Sequence, residues 1–378
     1  MSKGLKTGIW VVVAILIIIV VYSFSGKDGV TPAEGESIKI GFIGPLTGDA
    51  ANLGQNIKAA TALSVEEVNN AGGINGRPLE VIYEDGKCNG KEAANAANKL
   101  INVDKVPVIF GGACSGETSS FTGAAEQSKT VTLSYCSSAP SITNAGDYIF
   151  RDYPSDLFQG SFAANYIFNT LAKKKVAVIY VKSDWGSGIK DVFINEFKKL
   201  GGEVVLDEGY EQTSRDLRTQ LTKAKSSNPD LVYFLGYTEA SIPALKQAAE
   251  LKLGVPMFGG DAWDDSKIFT DSGEASNGIM YSVAYAPLNE SFKAGMKVKV
   301  GGDEITACSP QAYDGIKILA QVMSKVGVDP EAIKNELYKV NYTGGVSADK
   351  ISFDQNGDLI GASYIVKVVK DGKSEELK

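Results

Sequence analysis

Hydroxyl side chains follow two apolar segments of this chain, where parallel strands are expected to end. Val106–Phe110 is a short apolar run with β-branched residues, typical of a strand buried on both faces. Gly111 and Gly112 permit a tight turn after it, and Ser115 then stands where a helix N-cap is expected. Free backbone N–H groups and a hydroxyl at a helix start indicate an anion site.

A second segment repeats this pattern. Thr130–Cys136 is the next predicted strand, and Ser137 and Ser138 follow it directly. Two hydroxyl-rich turns at the ends of neighbouring strands would together bind a carboxylate. The alternative is that these serines only cap helices.

Composition excludes several classes of function. The chain has 378 residues, which favours two lobes over a single core. Its net charge of −7 argues against a nucleic-acid partner. The complete absence of histidine removes Ser-His-Asp and Cys-His catalysis and the commonest zinc ligand. No phosphate-binding loop or other cofactor motif occurs, so we expect neither an enzyme nor a cofactor or metal site.

The N-terminus has the features of an export segment. Lys3 and Lys6 precede a long apolar run, so residues 1–25 are predicted to form an uncleaved membrane anchor with the rest of the chain outside the cytoplasm. Ser23–Ser25 resembles a cleavage site, which leaves a removed signal peptide as the alternative. Residues 26–37, rich in Gly, Pro and charged side chains, are predicted to be a flexible linker.

The remaining chain alternates predicted strands and helices, which indicates an α/β fold with parallel sheets. Four strand segments and three helices precede Tyr148–Tyr153, after which the same alternation restarts and continues to Val255–Gly259. Near the end, Ile351–Phe353 and Ala362–Val369 are predicted to pair as a hairpin. Two successive α/β runs indicate two similar lobes with a cleft between them, where ligands sit beyond the carboxyl ends of the strands.

Four segments carry a resemblance to a known family, namely GGINGRPLEVIYED, RDYPSDLFQG, IYVKSDWGSG and LVYFLGYTEASIPALKQAAELKLGVPMFGGD. From Ile38 to Lys370 the chain resembles the type I periplasmic solute-binding proteins, above all the Leu/Ile/Val-binding proteins of branched-chain amino-acid ABC transporters. The resemblance implies two Rossmann-like lobes joined by three crossovers that close over a ligand. It assigns 38–154 plus 286–361 to lobe one and 155–285 plus 362–378 to lobe two.

The resemblance also implies eight ligand-binding positions. Ser115 would bind the carboxylate of an amino acid, and Ser138 both its carboxylate and its ammonium. The carbonyl of Cys136 and the side chain of Asp261 would bind the ammonium. Trp185 and Tyr237 would cover the ligand with their aromatic rings, and Leu53 and Cys308 would contact its side chain. Two alternatives stay open. Trp185 is otherwise a surface turn aromatic, and Asp261 the N-cap of a helix starting near Asp264.

Three positions depart from the family pattern. Asp261 is one methylene shorter than the usual glutamate, and Cys308 stands where a larger residue is common. Trp263 has no family counterpart and is a candidate to narrow the cleft. These departures bear on which ligand binds more than on its chemical class.

The four cysteines are expected to pair in an exported chain. The resemblance implies a disulfide between Cys88 and Cys114. For Cys136 and Cys308 a second bridge beside the pocket and two free thiols are both open.

These observations predict an extracytoplasmic, membrane-tethered receptor that delivers an amino acid, branched-chain or otherwise apolar, to the permease of an ABC importer. The alternative is a tethered sensor or a binder of a different small solute, such as a short amide, urea or an aromatic acid.

Overall fold

The computed structural model describes residues 35–377. Within this range no helix is both long enough and apolar enough to cross a membrane. The predicted anchor or signal peptide at 1–25 lies outside the described residues, and so does the linker up to residue 34.

The first sheet has five parallel strands in the order β2-β1-β3-β4-β5. The strands are β1 (Ile38–Gly44), β2 (Leu79–Asp85), β3 (Val108–Gly111), β4 (Val131–Ser134) and β5 (Ile149–Arg151). Helices α1 (Ala51–Asn70), α2 (Gly90–Asn102) and α3 (Ser115–Ser128) connect the first four strands, and a 3₁₀ turn (Pro140–Asn144) precedes β5. Since the strands are parallel, the turns after β1, β3 and β4 meet at one edge of the sheet.

The second sheet has seven strands in the order β14-β13-β10-β9-β8-β6-β7. The strands are β6 (Lys175–Val181), β7 (Glu203–Tyr210), β8 (Leu231–Leu235), β9 (Met257–Gly259), β10 (Met280–Ala284), β13 (Tyr364–Lys370) and β14 (Lys373–Glu376). Its helices are α4 (Asp156–Asn165, extended by a π-helical turn to Thr170), α5 (Asp184–Lys199), α6 (Arg218–Ser226), α7 (Thr238–Glu250) and α8 (Ser266–Ser272). Strands β6 to β10 run parallel, while β13 is antiparallel to both its neighbours.

Between β10 and β13 the chain returns to the first sheet. This segment contains α9 (Glu290–Val300), α10 (Ser309–Val326), α11 (Pro330–Leu337) and the short strands β11 (Tyr342–Thr343) and β12 (Lys350–Ile351). Helix α10 packs along α1, where the Ser64 hydroxyl donates to the Tyr313 carbonyl at 2.8 Å. The chain therefore passes between the sheets three times, and the predicted α/β fold with two lobes is confirmed. Helix α9 was not predicted.

The predicted hairpin between Ile351–Phe353 and Ala362–Val369 is wrong. Strand β12 pairs with β11, and β13 pairs along all five residues of β10. Only a single bridge, Phe353 to Leu359, spans the intervening turn. The edge of β10 offers β13 a longer ladder of backbone hydrogen bonds than a three-residue partner would.

Candidate ligand site between the two lobes

A cavity lies between the lobes, at the carboxyl ends of strands from both sheets. The cavity is small and partly open to solvent. The residues that line it are Leu53, Ala113, Cys114, Ser115, Cys136, Ser138, Trp185, Tyr237, Asp261, Ala262, Ala307 and Cys308. The structure thus brings together all eight residues that the resemblance implies.

Ser115 and the loop after β4 form one cluster of hydrogen-bond donors. Ser115 is the first residue of α3, and Cys114 holds the N-cap position predicted for Ser115. The Ser115 hydroxyl oxygen accepts from the backbone N–H groups of Ser138 at 3.2 Å and Ala139 at 3.0 Å. Because both of these bonds are accepted, the hydroxyl proton is left to donate. A carboxylate placed here would also lie at the N-terminus of α3, which favours negative charge.

A buried glutamate holds the turn that leads into α3. The Glu117 carboxylate accepts from the backbone N–H groups of Cys88, Ala113 and Cys114, each at 3.0 Å. Burial raises the pKa of Glu117 to about 7, although these hydrogen bonds act against the rise. Glu117 was not predicted from the sequence to belong to the site. The available signal was its place three residues after the N-cap, where a capping box has its glutamate.

One buried carboxyl group, Asp261, lines the cavity, and a second, Asp156, lies behind Ser138. Asp261 Oδ2 accepts from the Tyr153 hydroxyl at 2.7 Å, and Asp261 Oδ1 accepts from the Ala262 N–H at 3.0 Å. Asp156 Oδ2 accepts from the Ser138 hydroxyl at 3.0 Å. Asp156 Oδ1 is buried and has no hydrogen-bond partner among residues 35–377.

The environment of this pair opposes negative charge. Burial raises the pKa of Asp261 to about 6. Burial, and after it the charge of Asp261, raise the pKa of Asp156 well above its usual range. A cation bound beside the two groups would stabilise their ionised forms. Asp156 and Tyr153 were not predicted as site residues, although both lie in the RDYPSDLFQG segment that carried the resemblance.

Two aromatic rings close the lobe-two side of the cavity. Trp185 in the first turn of α5 and Tyr237 at the N-cap of α7 have ring centroids 5.0 Å apart. Trp185 is only 4% exposed, so its alternative reading as a surface turn aromatic is wrong. Trp263 does not narrow the cleft, because it is fully buried and donates from Nε1 to the Ser241 hydroxyl at 2.9 Å.

The N-cap alternative for Asp261 is also wrong. Helix α8 begins at Ser266, and its N-cap is Asp265, whose side chain accepts from the Lys267 N–H at 2.9 Å. Asp261 instead opens the short 3₁₀ turn Asp261–Trp263 directly after the β9 segment. Its carboxylate is therefore not engaged in capping α8.

The rest of the cavity wall is apolar and made of small side chains. Leu53 on α1 reaches it because the following residue, Gly54, lets the helix approach the turn after β1. A Cβ at Gly54 would lie 2.0 Å from the carbonyl oxygen of Pro45. Ala113, Ala262 and Ala307 add only methyl groups.

Both disulfides that the sequence left for consideration are present in the structure. Cys88 is joined to Cys114, and Cys136 to Cys308, each with a Cα–Cα distance of 5.3 Å. Three of these four cysteines line the cavity.

The polar side chains of the cavity wall are hydroxyl groups, the Trp185 indole and the Asp261 carboxylate. Across residues 35–377 no group of three or more His, Cys, Asp or Glu side chains is placed to hold a metal. Among the residues that the structure describes, no lysine or arginine lines the cavity. A bound carboxylate would therefore depend on hydroxyl and backbone N–H donors.

The lobes touch each other beside the cavity. The Arg215 guanidinium pairs with the Asp49 carboxylate, and Gln212 Nε2 donates to the Cys88 carbonyl at 3.2 Å. The Asn52 side-chain amide of lobe one donates to Asp265 of lobe two at 2.7 Å. These contacts correspond to a closed arrangement of the lobes.

Comparison with known proteins agrees with this geometry. Residues 37–373 match the model of a family described as periplasmic binding protein. The chain is 30% identical, over 350 residues, to a leucine-, isoleucine-, valine-, threonine- and alanine-binding protein of Pseudomonas aeruginosa, covering 91% of this chain and 93% of that protein.

Solved structures show the same fold. A leucine-binding protein of Thermotoga maritima is 29% identical with a TM-score of 0.84, covering 90% of this chain and 98% of that one. A solute-binding protein of an R. palustris ABC transporter, solved with benzoate, is 21% identical with a TM-score of 0.82, covering 90% and 95%. The chain is therefore an extracytoplasmic solute-binding protein rather than an enzyme, and it belongs to the periplasmic binding protein family.

Proposed function

We propose that this chain is the receptor of an ABC importer, which binds one apolar amino acid, branched-chain by preference, between its lobes. The pair of buried carboxyl groups at Asp261 and Asp156 supports this function most directly. Asp261 lines the same cavity as the donor cluster at Ser115, and Asp156 is connected to it through the Ser138 hydroxyl, so opposite ends of a zwitterion find opposite partners. A buried charge needs such a partner, because its desolvation is otherwise uncompensated.

In this proposal the ligand carboxylate lies at the N-terminus of α3 and accepts from the Ser115 hydroxyl. The ligand ammonium lies near Asp261, with the Ser138 hydroxyl and the Cys136 carbonyl as further acceptors. Each charge-assisted hydrogen bond contributes roughly 1.5–3 kcal/mol. Donors from lobe one and an acceptor from lobe two make binding strongest in the closed state.

The ligand side chain faces Leu53, Ala307 and the Cys136–Cys308 bridge. This wall has no charged group, which favours an apolar side chain. Small alanine neighbours leave room for a branched aliphatic group. The amino acids named for the Pseudomonas aeruginosa relative are mostly of this kind.

We propose lobe boundaries that match the sheets. Lobe one comprises 38–154 and 286–361, and lobe two comprises 155–285 and 362–378, so that the three passages of the chain form the hinge. Ligand contacts from both lobes would shift the hinge towards closure, and the closed form would be presented to the permease. The proposal also includes a membrane tether at residues 1–25, which is supported only by the lysines and the apolar run of that segment.

Calorimetric titration of the purified protein, unfolded and refolded once to remove carried-over ligand, tests this function. We expect saturable binding of leucine, isoleucine or valine, and none of acetamide, urea or benzoate. Binding of benzoate or an amide without any amino acid would contradict the proposal and favour a binder or sensor of another solute.

The affinity for an amino acid is expected to fall as the pH drops below about 6. Without ligand, burial raises the pKa of Asp261 to about 6. A bound ammonium favours the ionised carboxylate and lowers this pKa, so binding at pH 5 requires the loss of a proton. The uptake of one proton changes the affinity by at most tenfold per pH unit, and only below the pKa. Since this pKa is about 6, we expect the affinity at pH 5 to be about tenfold weaker than at pH 7.

Calorimetry at the two pH values measures this difference, with circular dichroism to verify folding at pH 5. Asp261→Asn removes the carboxyl group that faces the ammonium and should reduce the dependence on pH, while Glu117 and Asp156, whose pKa values burial also raises, stay in place. A ligand with a carboxylate and no ammonium would show the opposite sign, since protonation of Asp261 removes a repulsive charge. Affinity that rises towards pH 5 would therefore contradict the assigned ammonium site.

A further inference from the structure

The Cys136–Cys308 disulfide joins two parts of lobe one that are 172 residues apart in the chain. Cys136 lies in the loop after β4 that also carries Ser138. Cys308 directly precedes α10. Both cysteines line the cavity, so the bridge itself is part of the ligand-facing wall.

Residues 301–308, which we name the closure loop, connect α9 to α10 and reach lobe two. The Ala307 N–H donates to the Asp264 carbonyl at 3.2 Å. Glu304 accepts from the same Asn52 amide that donates to Asp265. The closure loop therefore contacts lobe two at the side-chain end of the cleft.

The closure loop ends, at the disulfide, in an unfavourable backbone conformation. Cys308 has φ 66°, in the left-handed region that a residue with a Cβ seldom adopts. Ala307, next to it, lines the cavity. A local conformation of this kind persists where surrounding structure fixes it, and the bridge to Cys136 is a covalent constraint at this point.

We propose that the Cys136–Cys308 disulfide sets the affinity and side-chain selectivity of the cleft by fixing the closure loop. This inference rests on the proposed function for the identity of its ligands. With the bridge intact, Ala307 and Cys308 form a rigid end wall already placed to meet lobe two. Without the bridge, the loop must be ordered each time the lobes close. The end wall then moves and admits ligands with longer side chains.

The test compares wild type with Cys136→Ala/Cys308→Ala by calorimetry with leucine, valine and phenylalanine. We expect leucine affinity to fall about tenfold or more, since closure now includes ordering the loop. We also expect the ratio of phenylalanine to leucine affinity to rise. Affinities within threefold of wild type for all three ligands would overturn the proposal, even if the melting temperature fell.

Reduction of wild type provides a second measurement that does not depend on the variant folding. Dithiothreitol gives two electrons to the bridge: its thiolate attacks one sulfur, its second thiolate closes the cyclic disulfide, and both cysteines leave as thiols. Mass spectrometry identifies the reduced bridge. Reduction of Cys136–Cys308 without loss of affinity would overturn the proposal. Dithiothreitol on the double variant isolates the contribution of Cys88–Cys114.

The identity of the ligand is separable from this inference. If wild type binds none of the amino acids but binds benzoate, the proposed function fails, and the same comparison with benzoate still decides whether the bridge sets affinity. If wild type binds leucine and the variant binds it equally well, the inference fails while the proposed function stands.

Discussion

Replacing Asp261 with asparagine is expected to weaken amino-acid binding about 100-fold, equivalent to roughly 3 kcal/mol. The substitution keeps the size of the side chain and an acceptor for the Tyr153 hydroxyl, which bonds Asp261 at 2.7 Å. It removes the negative charge that faces the ligand ammonium. The cost arises because a buried ammonium then lacks its ionic partner, not because the pocket changes shape. Calorimetric titration with leucine measures it.

Asp271→Asn is the matched control, because it makes the same change at an exposed position on α8. Asp271 pairs with Lys267 at the surface, with its side chain 44% exposed, and its loss should leave ligand affinity unchanged. Leucine affinity within threefold of wild type in Asp261→Asn would show that the ammonium binds elsewhere. Stronger binding of benzoate in that variant would instead indicate a carboxylate ligand repelled by Asp261.

Asp261→Glu tests the departure from the family pattern. Glutamate would carry the carboxylate one methylene further into this small cavity. The hydrogen bond from the Tyr153 hydroxyl, which fixes the Asp261 carboxylate, would then lose its present geometry. A variant that binds leucine as well as wild type would show that the cleft tolerates both lengths, whereas weaker binding would show that this cavity is fitted to aspartate.

Local sequence patterns predicted the sheets because buried parallel strands have a simple signature. The five residues of β8 are all buried and all apolar. A run of this kind predicts a buried strand even when the neighbouring strands are unknown. The turns after β3 and β4 were predicted for the same reason, with Ser115 and Ser138 at their ends. The resemblance supplied the lobe-two residues Trp185, Tyr237 and Asp261, whose convergence on Ser115 depends on how the lobes meet.

Features that depend on distant pairing were not predictable in this way. Strand β13 pairs with β10, which lies about 80 residues earlier in the chain, and local pattern favoured the nearer Ile351–Phe353 instead. The role of Asp156 follows from its burial beside Asp261, which sequence spacing does not reveal. Helix α9 was missed because only Phe292 and Met296 are buried on it, so its apolar stripe is narrow.

Arg151 illustrates a further class of long-range feature, a buried cation at the start of the first passage between lobes. Its guanidinium is fully buried and donates to Asp358 at 2.6 and 2.8 Å, to the Ala139 carbonyl at 2.9 Å and to the Thr143 hydroxyl at 2.7 Å. It thereby connects the first passage to the third, where Asp358 lies. It also fixes Ala139, whose N–H bonds Ser115 in the ligand site.

Replacing Arg151 with methionine is expected to lower the free energy of unfolding by about 3–5 kcal/mol, since the Asp358 carboxylate, only 14% exposed, is left without its partner. In a chain of this size we expect the melting temperature to fall by about 5–10 °C. Thermal denaturation of the ligand-free protein measures this. Ligand affinity should fall as well, because Ala139 loses the hydrogen bond that holds its peptide near Ser115.

Arg218→Met is the control for this prediction, because it removes an arginine that pairs with acidic side chains but lies at the surface. Arg218 pairs with Asp216 and Glu250 and its side chain is 48% exposed, so its loss should cost less than about 1 kcal/mol. Adding Asp358→Leu to Arg151→Met should recover part of the stability, since no unpaired charge then remains. Equal melting temperatures for the two single variants would show that the buried pair contributes no more than a surface one. If the double variant regains no stability, the stability lost in Arg151→Met comes from the missing hydrogen bonds to Ala139 and Thr143.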